Sequence, residues 1–361
     1  MKQCRRIRQW VKIQERFVPG RGNRITDVPG VTVGHCTLIE GDHVRTGVTV
    51  VCQHPGNVFL HRTPAAVYAA NGHTKAAGTL QVEELGELES YIALTNTLSV
   101  GAALQGLIEY HKRDMGQLDF KSINALVCET NDGQLSDILG GHVRPEHVLQ
   151  AIAAAGVEVA EGAVGAGTGC TCYGYKGGIG TASRVIPAAV TGETQDFTVG
   201  VLVQSNFGGN LNIYGHALPL RPLPLAEVES TARGSVSVIV ATDAPMSELQ
   251  LRRLAKRAML GVAATGSYMG NSSGDLAVAF SNCPRNLRDF AKKRVQRIDA
   301  LSNEQINPFF EAAMDAVREA VYNSLCMAQD MQGCGKQYEG FDITRFADRI
   351  PLLQKGEDAN A

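Results

Sequence analysis

Residues 233–246 read RGSVSVIVATDAPM. Arg233-Gly234-Ser235 runs straight into VSVIVA (236–241), an apolar, β-branched run that closes on Thr242-Asp243. That is the pattern of a strand buried on both faces. Immediately upstream lies HALPLRPLPLAEVE (216–229), whose prolines exclude a central strand or a regular helix. On composition alone it reads as a connector. Placed here, it is a surface loop that delivers a Gly-Ser bond to the start of a buried strand.

Working outward, Ala125–Cys128, Val199–Val203 and Leu276–Phe280 are similar short apolar runs bounded by Gly, Asn, Asp or Pro. Between them lie segments with helical spacing. Ser247 can cap a helix whose Leu251, Leu254, Ala258 and Val262 share a face. Asn307-Pro308 starts another, with Ile306, Phe310, Ala313, Val317, Val321 and Leu325 marking its stripe. A third follows Pro145 and stops before Gly156. Strands mixed with long amphipathic helices predict an α/β (α+β) arrangement of sheets covered by helices.

The chain has 361 residues with 34 basic and 36 acidic side chains, a net charge of −2. The near balance argues against a nucleic-acid binder or a membrane-surface protein. No apolar run approaches a membrane span, and MKQCRRIRQWVKIQERF (1–17) lacks the apolar centre of a signal peptide. Nine cysteines, an odd number in a chain this large, read as reduced thiols in a cytoplasm. Glycine is frequent, at 39 residues, and small residues crowd 151–181, which implies close backbone approaches.

The polar interruptions carry the chemistry. Ser235 is a weak nucleophile without a base. Cutting the Gly234–Ser235 bond would give it an α-amine with an ordinary pKa of about 7.7–8.0, suited to general-base work at neutral pH. Glu129-Thr130-Asn131-Asp132-Gly133, Gln204-Ser205-Asn206-Phe207-Gly208 and Asn271-Ser272-Ser273-Gly274-Asp275 each stand at the end of an apolar run. Taken singly they read as turns. The Walker motif is absent. Cys170-Thr171-Cys172 lacks a second ligand pair at zinc spacing. His35 reads as a hydrogen-bonded structural histidine, and GAGTG (165–169) is only a fragment of a dinucleotide loop. No metal or cofactor is expected.

Together these segments resemble the L-aminopeptidase D-Ala-esterase/amidase family, which includes the β-peptidyl aminopeptidases. The resemblance runs through ITDVPGVTVGH (25–35), RTGVTVV (45–51), PAAVYAANG (64–72), IALTNTLSVG (92–101), ETNDG (129–133), KGGIGTASR (176–184), VQSNFG (203–208), RGSVSVIVATDAPM (233–246) and NSSGD (271–275). It implies a four-layer αββα sandwich similar to the N-terminal-nucleophile hydrolases. Residues 1–24 would form an N-terminal extension and 25–350 one catalytic domain. Self-cleavage between Gly234 and Ser235 would give an α chain, 1–234, and a β chain, 235–361, that stay together.

By the same resemblance Ser235 is the nucleophile and Asn206 the oxyanion donor. Ser273 and Asp275 are the serine and acidic residue held near the nucleophile, where some relatives carry Glu. Glu129 receives the substrate ammonium. Asp132, before Gly133, suits a turn better. Gln134 stands where relatives can carry a site tyrosine, and His73 and Thr74 replace smaller residues. The implied activity is a self-processing serine aminopeptidase, amidase or esterase working through an acyl-enzyme on small peptides, amino-acid amides or esters. Either the Ser235 α-amine or Ser273/Asp275 would shuttle the proton. A homotetramer of αβ units is implied as well. An acyltransferase related to the ornithine acetyltransferases and an unprocessed, non-catalytic scaffold are the alternatives.

Overall fold

The computed structural model describes residues 4–114, 120–219, 234–291 and 295–351. Nine strands and four helices build its layers. The strands are β1 (Thr32–Glu40), β2 (Val44–Cys52), β3 (His61–Gly72), β4 (Ile92–Asn96), β5 (Leu126–Thr130), β6 (Gly178–Ile186), β7 (Phe197–Asn206), β8 (Ser235–Thr242) and β9 (Gly274–Ser281). The helices are α1 (Val100–Asp114), α2 (Pro145–Ala153), α3 (Glu248–Ala264) and α4 (Asn307–Cys326). One sheet has the order β1-β2-β4-β5. The other runs β3-β9-β8-β7-β6, with Arg288–Asp289 and Glu87–Leu88 also pairing on β3.

Two-sided burial explains why the central strands are apolar throughout rather than alternating. Along β8, Val236, Val238 and Val240 face one apolar cluster while Ile239 and Ala241 face another. The first cluster lies under α3 and α4, with Leu251, Leu254, Ala258, Phe309, Val317 and Val321. The second joins the two sheets, where Leu202, Ile239 and Val278 meet Val33, Val51, Leu94 and Leu126. A third places Ala103 and Leu107 of α1 and Val148 and Ala151 of α2 on Val48, Val50, Ala93 and Val127. Helices, sheet, sheet and helices form the four-layer αββα sandwich.

The helix signals act as expected. Ser247 Oγ accepts from Gln250 N and Gln250 Oε1 accepts from Ser247 N, a reciprocal cap on α3. Pro308 sits in the first turn of α4, where its missing N–H costs nothing. His35 is half-buried with Nδ1 2.9 Å from Thr49 Oγ1, and desolvation lowers its pKa to about 4. All nine cysteines are free thiols. No helix among the described residues is long and apolar enough to cross a membrane.

The charged segment ahead of residue 25 is built into the body: Ile7, Val11 and Phe17 join the core beneath α4, and Arg8 pairs with Glu319. Of the proline-rich segment, His216 and Ala217 pair with Asn212 and Ile213. From residue 220 to 233 it lies outside the described residues, as does the polar end from Lys355.

Candidate active site

The ladder brings three distant stretches to one edge. Strand β8 starts at Ser235, which pairs with Asn206, the last residue of antiparallel β7. On its other side β9 runs parallel, with Ser235 opposite Gly274 and Val236 opposite Asp275. The polar ends that look like turns in the sequence are therefore the last rungs of the sheet. Glu129 and Asn206 lie within strands and Asp275 is the second residue of one. Ser273 remains in the turn, its N–H on Gly270 O at 2.8 Å.

Ser235 is 5% exposed. Its Oγ donates to Gly234 O at 2.6 Å and accepts from Gly274 N at 3.2 Å. Gly234 has no room for a side chain: a Cβ there would stand 2.5 Å from Asn206 O and from Phe207 Cα. Gly274 is equally constrained, since a Cβ would meet His73 O at 2.7 Å and Thr74 Cα at 2.9 Å. Residues 73 and 74 thus cross directly over the rung beside the serine.

The Asn206 amide is held at both ends. Oδ1 accepts from Thr171 N at 2.9 Å, and Nδ2 donates one hydrogen to Asn131 O at 2.8 Å. The second Nδ2 hydrogen has no partner among the described residues. Ser273 Oγ donates to Asp275 Oδ1 at 2.7 Å, while buried Asp275 Oδ2 has no hydrogen-bond partner. Burial raises the Asp275 carboxyl to about 6 against the pull of the Ser273 bond. An amine, a hydroxyl and this carboxyl are all groups able to move a proton near neutral pH.

Glu129 comes from the facing sheet. Its backbone oxygen accepts from Ser237 Oγ at 3.2 Å, tying β5 to β8 two residues along from Ser235. Its carboxylate is 2% exposed. Oε1 accepts from Thr74 Oγ1 at 2.9 Å and Lys75 N at 2.8 Å, and Oε2 from Thr97 Oγ1. A buried carboxylate fixed by three donors is a rigid anionic partner for a ligand cation.

Asp132 and Lys176 stand out beyond the expected set. The Asp132 backbone does make the turn, accepting from Leu135 N and Ser136 N. Its carboxylate, however, is buried, with Thr46 and Asn96 as polar neighbours, and burial raises it to about 6. Lys176 is fully buried. Its only sequence signal is a long cation inside a run of small residues, KGGIG. Thr97, which orients Glu129, carries no signal apart from its place in IALTNTLSVG, and Thr74, which does the same, stands out only as replacing a smaller residue. Gln134 accepts from Lys336 Nζ at 2.7 Å.

The sequence profile of peptidase family S58 matches residues 23–338. The chain is 39% identical to the β-peptidyl aminopeptidase BapA of Sphingosinicella microcystinivorans, over 93% of this chain and 89% of that one. Among solved structures, a Burkholderia β-aminopeptidase shares 38% identity and a TM-score of 0.87, covering 98% of this chain and all of the other. The L-aminopeptidase D-Ala-esterase/amidase of Ochrobactrum anthropi shares 32% identity and a TM-score of 0.86, covering 96% and 99%. That structure is described as a prototype serine aminopeptidase and a variant of the Ntn hydrolase fold.

Proposed function

The chain belongs to peptidase family S58, a hydrolase family with aminopeptidases among this chain's relatives, and from that premise we propose a self-processing serine aminopeptidase with Ser235 as nucleophile. The observation that carries this is the placement of Ser235. It begins a buried strand with its Oγ on the carbonyl of the preceding glycine and Asn206 in the neighbouring rung. Maturation begins when Ser235 Oγ attacks the Gly234 carbonyl carbon. The C–N bond breaks, the amine leaves protonated, and an ester links Gly234 to Ser235. Water hydrolyses that ester, leaving a Gly234 carboxylate and a free Ser235 amine.

Turnover repeats the chemistry on a substrate. Glu129 holds the ammonium, Ser235 Oγ attacks the acyl carbon, and the second Asn206 Nδ2 hydrogen meets the developing oxyanion. The leaving amine or alcohol takes a proton from the Ser235 α-amine or by way of Ser273 and Asp275. Water then releases the acid from the acyl-enzyme. A carboxylate set in a buried site favours substrates that bring a positive charge. Free-amine amides, anilides and esters are therefore substrates, and N-acetylated analogues are poor ones.

The test is denaturing electrophoresis with intact-mass analysis, followed by paired free-amine and N-acetyl anilides. The expected result is two fragments, 1–234 and 235–361, and turnover of the free-amine series alone. Ser235→Ala stays a single chain and is inert. A new amino terminus elsewhere, or equal turnover of both series, overturns the reading.

A further inference from the structure

Lys176 Nζ donates to three backbone carbonyls, Gly167 O at 3.1 Å, Cys170 O at 2.7 Å and Gly177 O at 2.8 Å. The shortest of these is informative. Cys170 O belongs to the same peptide group as Thr171 N, and Thr171 N donates to Asn206 Oδ1 at 2.9 Å. The far end of the Asn206 amide then donates to Asn131 O at 2.8 Å, beside Asp132. A continuous chain runs from ammonium to peptide and from peptide to the side-chain amide of Asn206, the residue paired with Ser235 in the ladder. Each member polarises the next in the same sense, because a cation at the peptide oxygen strengthens its N–H as a donor.

The loop has little freedom to do otherwise. Thr171 and Lys176 are direct partners in a short antiparallel ladder, with Cys172 opposite Tyr175. Tyr173 N donates to Phe207 O at 2.8 Å, one residue beyond Asn206. Gly177 N donates to Cys170 O at 3.0 Å, so that carbonyl already has a backbone donor before the ammonium is added. A lysine is therefore not needed merely to satisfy it, and burying the cation is costly.

We propose that Lys176 is a positioning residue for the oxyanion donor, acting through the Cys170–Thr171 peptide to fix and polarise the Asn206 amide. This rests on the role given to Asn206 above. Burial lowers the Lys176 ammonium to about 8, against the opposing pull of Cys170, Asp132 and Cys172, the titratable groups that face it. Protonated Lys176 supports the donor, so this contribution is present below that pH and fades above it.

The experiment is a kinetic cycle on free-amine anilides, with rates taken per processed molecule. Lys176→Met is expected to lower kcat by about tenfold, the worth of one charge-assisted hydrogen bond. KM stays within about twofold, because Glu129 is untouched. In an Asn206→Ala background the same change should add almost nothing, since the residue it acts through is gone. Equal losses in both backgrounds overturn the proposal. Should Lys176→Met fail to fold, Asp132→Asn serves instead. Loss of the carboxylate lowers the lysine further and should move the alkaline limb of kcat down by about half a pH unit or more. An unmoved limb overturns the proposal equally. Ser235→Ala run alongside separates the two failures: turnover surviving there sinks the serine reading, whereas an inert Ser235→Ala with additive losses sinks only the role of Lys176.

Discussion

Strand β6 separates two buried cations. Lys176 lies just before its start, next to the candidate site, and Arg184 lies near its other end. Arg184 is met by full charge: Glu319 Oε2 at 2.8 Å and Glu15 Oε2 at 3.5 Å. Arg8 adds a two-pronged pair to Glu319, both contacts at 2.8 Å, and Asn23 Nδ2 donates to Glu319 Oε1 at 2.6 Å. Burial alone would raise the Glu319 carboxyl. The Arg8 hydrogen bond, the charges of Arg184 and Arg8, and the bond from Asn23 outweigh it and hold it at about 2. At the other end, among the described residues, Lys176 hydrogen-bonds only to carbonyl dipoles, Asp132 makes no contact ion pair, and Asp275 leaves one oxygen bare.

The difference separates two uses of a buried charge. Where cation and carboxylate are matched, neither changes protonation near neutral pH and the cluster locks structure. Here it locks the N-terminal segment and β6 onto α4. Where they are mismatched, burial pushes pKa values toward neutrality, as active sites require and stability does not. The largest expected effect breaks the matched end. Glu319→Ala leaves Glu15 alone against two cations, Arg8 and Arg184, which should cost about 3–5 kcal/mol of folding stability. Urea denaturation in the Ser235→Ala chain, which unfolds as one piece, measures it. In the processed enzyme kcat stays within about twofold. A loss below about 1 kcal/mol, or a collapse of kcat in folded protein, would dissolve the distinction.

The mismatched end should answer in the opposite way. Asn206→Ala removes the candidate oxyanion donor and is expected to lower kcat by about a hundredfold or more. It also leaves Thr171 N and Asn131 O short of a partner, at a cost of about 1–2 kcal/mol, less than at Glu319. Steady-state kinetics on processed protein checks the first part and urea midpoints the second. Unchanged turnover would remove Asn206 from the site.

The two ends were also unequally legible. At the site end the sequence supplies short motifs beside apolar runs. The polar interruptions show in the strand pattern, and the family resemblance singles out Ser235, Asn206, Ser273, Asp275 and Glu129 among them. What the pattern hides is that the strands continue through them: β5 and β7 extend over Glu129 and Asn206 because their partners, Thr95 and Ser235, lie far away in the chain. The core faces were legible for the same reason as the helices, since period and caps are local. The matched cluster has no local signature. Arg8 looks like one charge in a solvated extension, and Glu319 like one on a helix flank, until the fold brings them together. Lys176 hides similarly, because its acceptors are backbone carbonyls and no residue type announces them.

The last effect sharpens the comparison through pH. Asp275 is raised from an ordinary 3.8 to about 6, so its ionisation opposes folding. That cost is absent below about pH 4, grows as pH rises toward 6, and is constant above. Relative to Asp275→Asn, the unsubstituted chain should therefore lose about 3 kcal/mol of stability across that interval. Glu319 has the opposite sign. Lowered from 4.5 to about 2, it gives stability that is complete above about 4.5 and lost as pH falls toward 2. Against Glu319→Gln, the unsubstituted chain should gain between pH 2 and 4.5 and then hold level. Urea midpoints every half unit, all in the Ser235→Ala background, give both difference curves. The other raised carboxyls, Asp132, Glu161 and Asp243, are present in every chain and cancel. Asparagine can still accept the Ser273 hydroxyl, so a fixed offset from its new N–H₂ moves the Asp275 curve without changing its slope. Two curves of opposite slope support the division into matched and mismatched charge; a flat Asp275 curve means that carboxyl finds a partner in solution, and the contrast between the two ends of β6 goes with it.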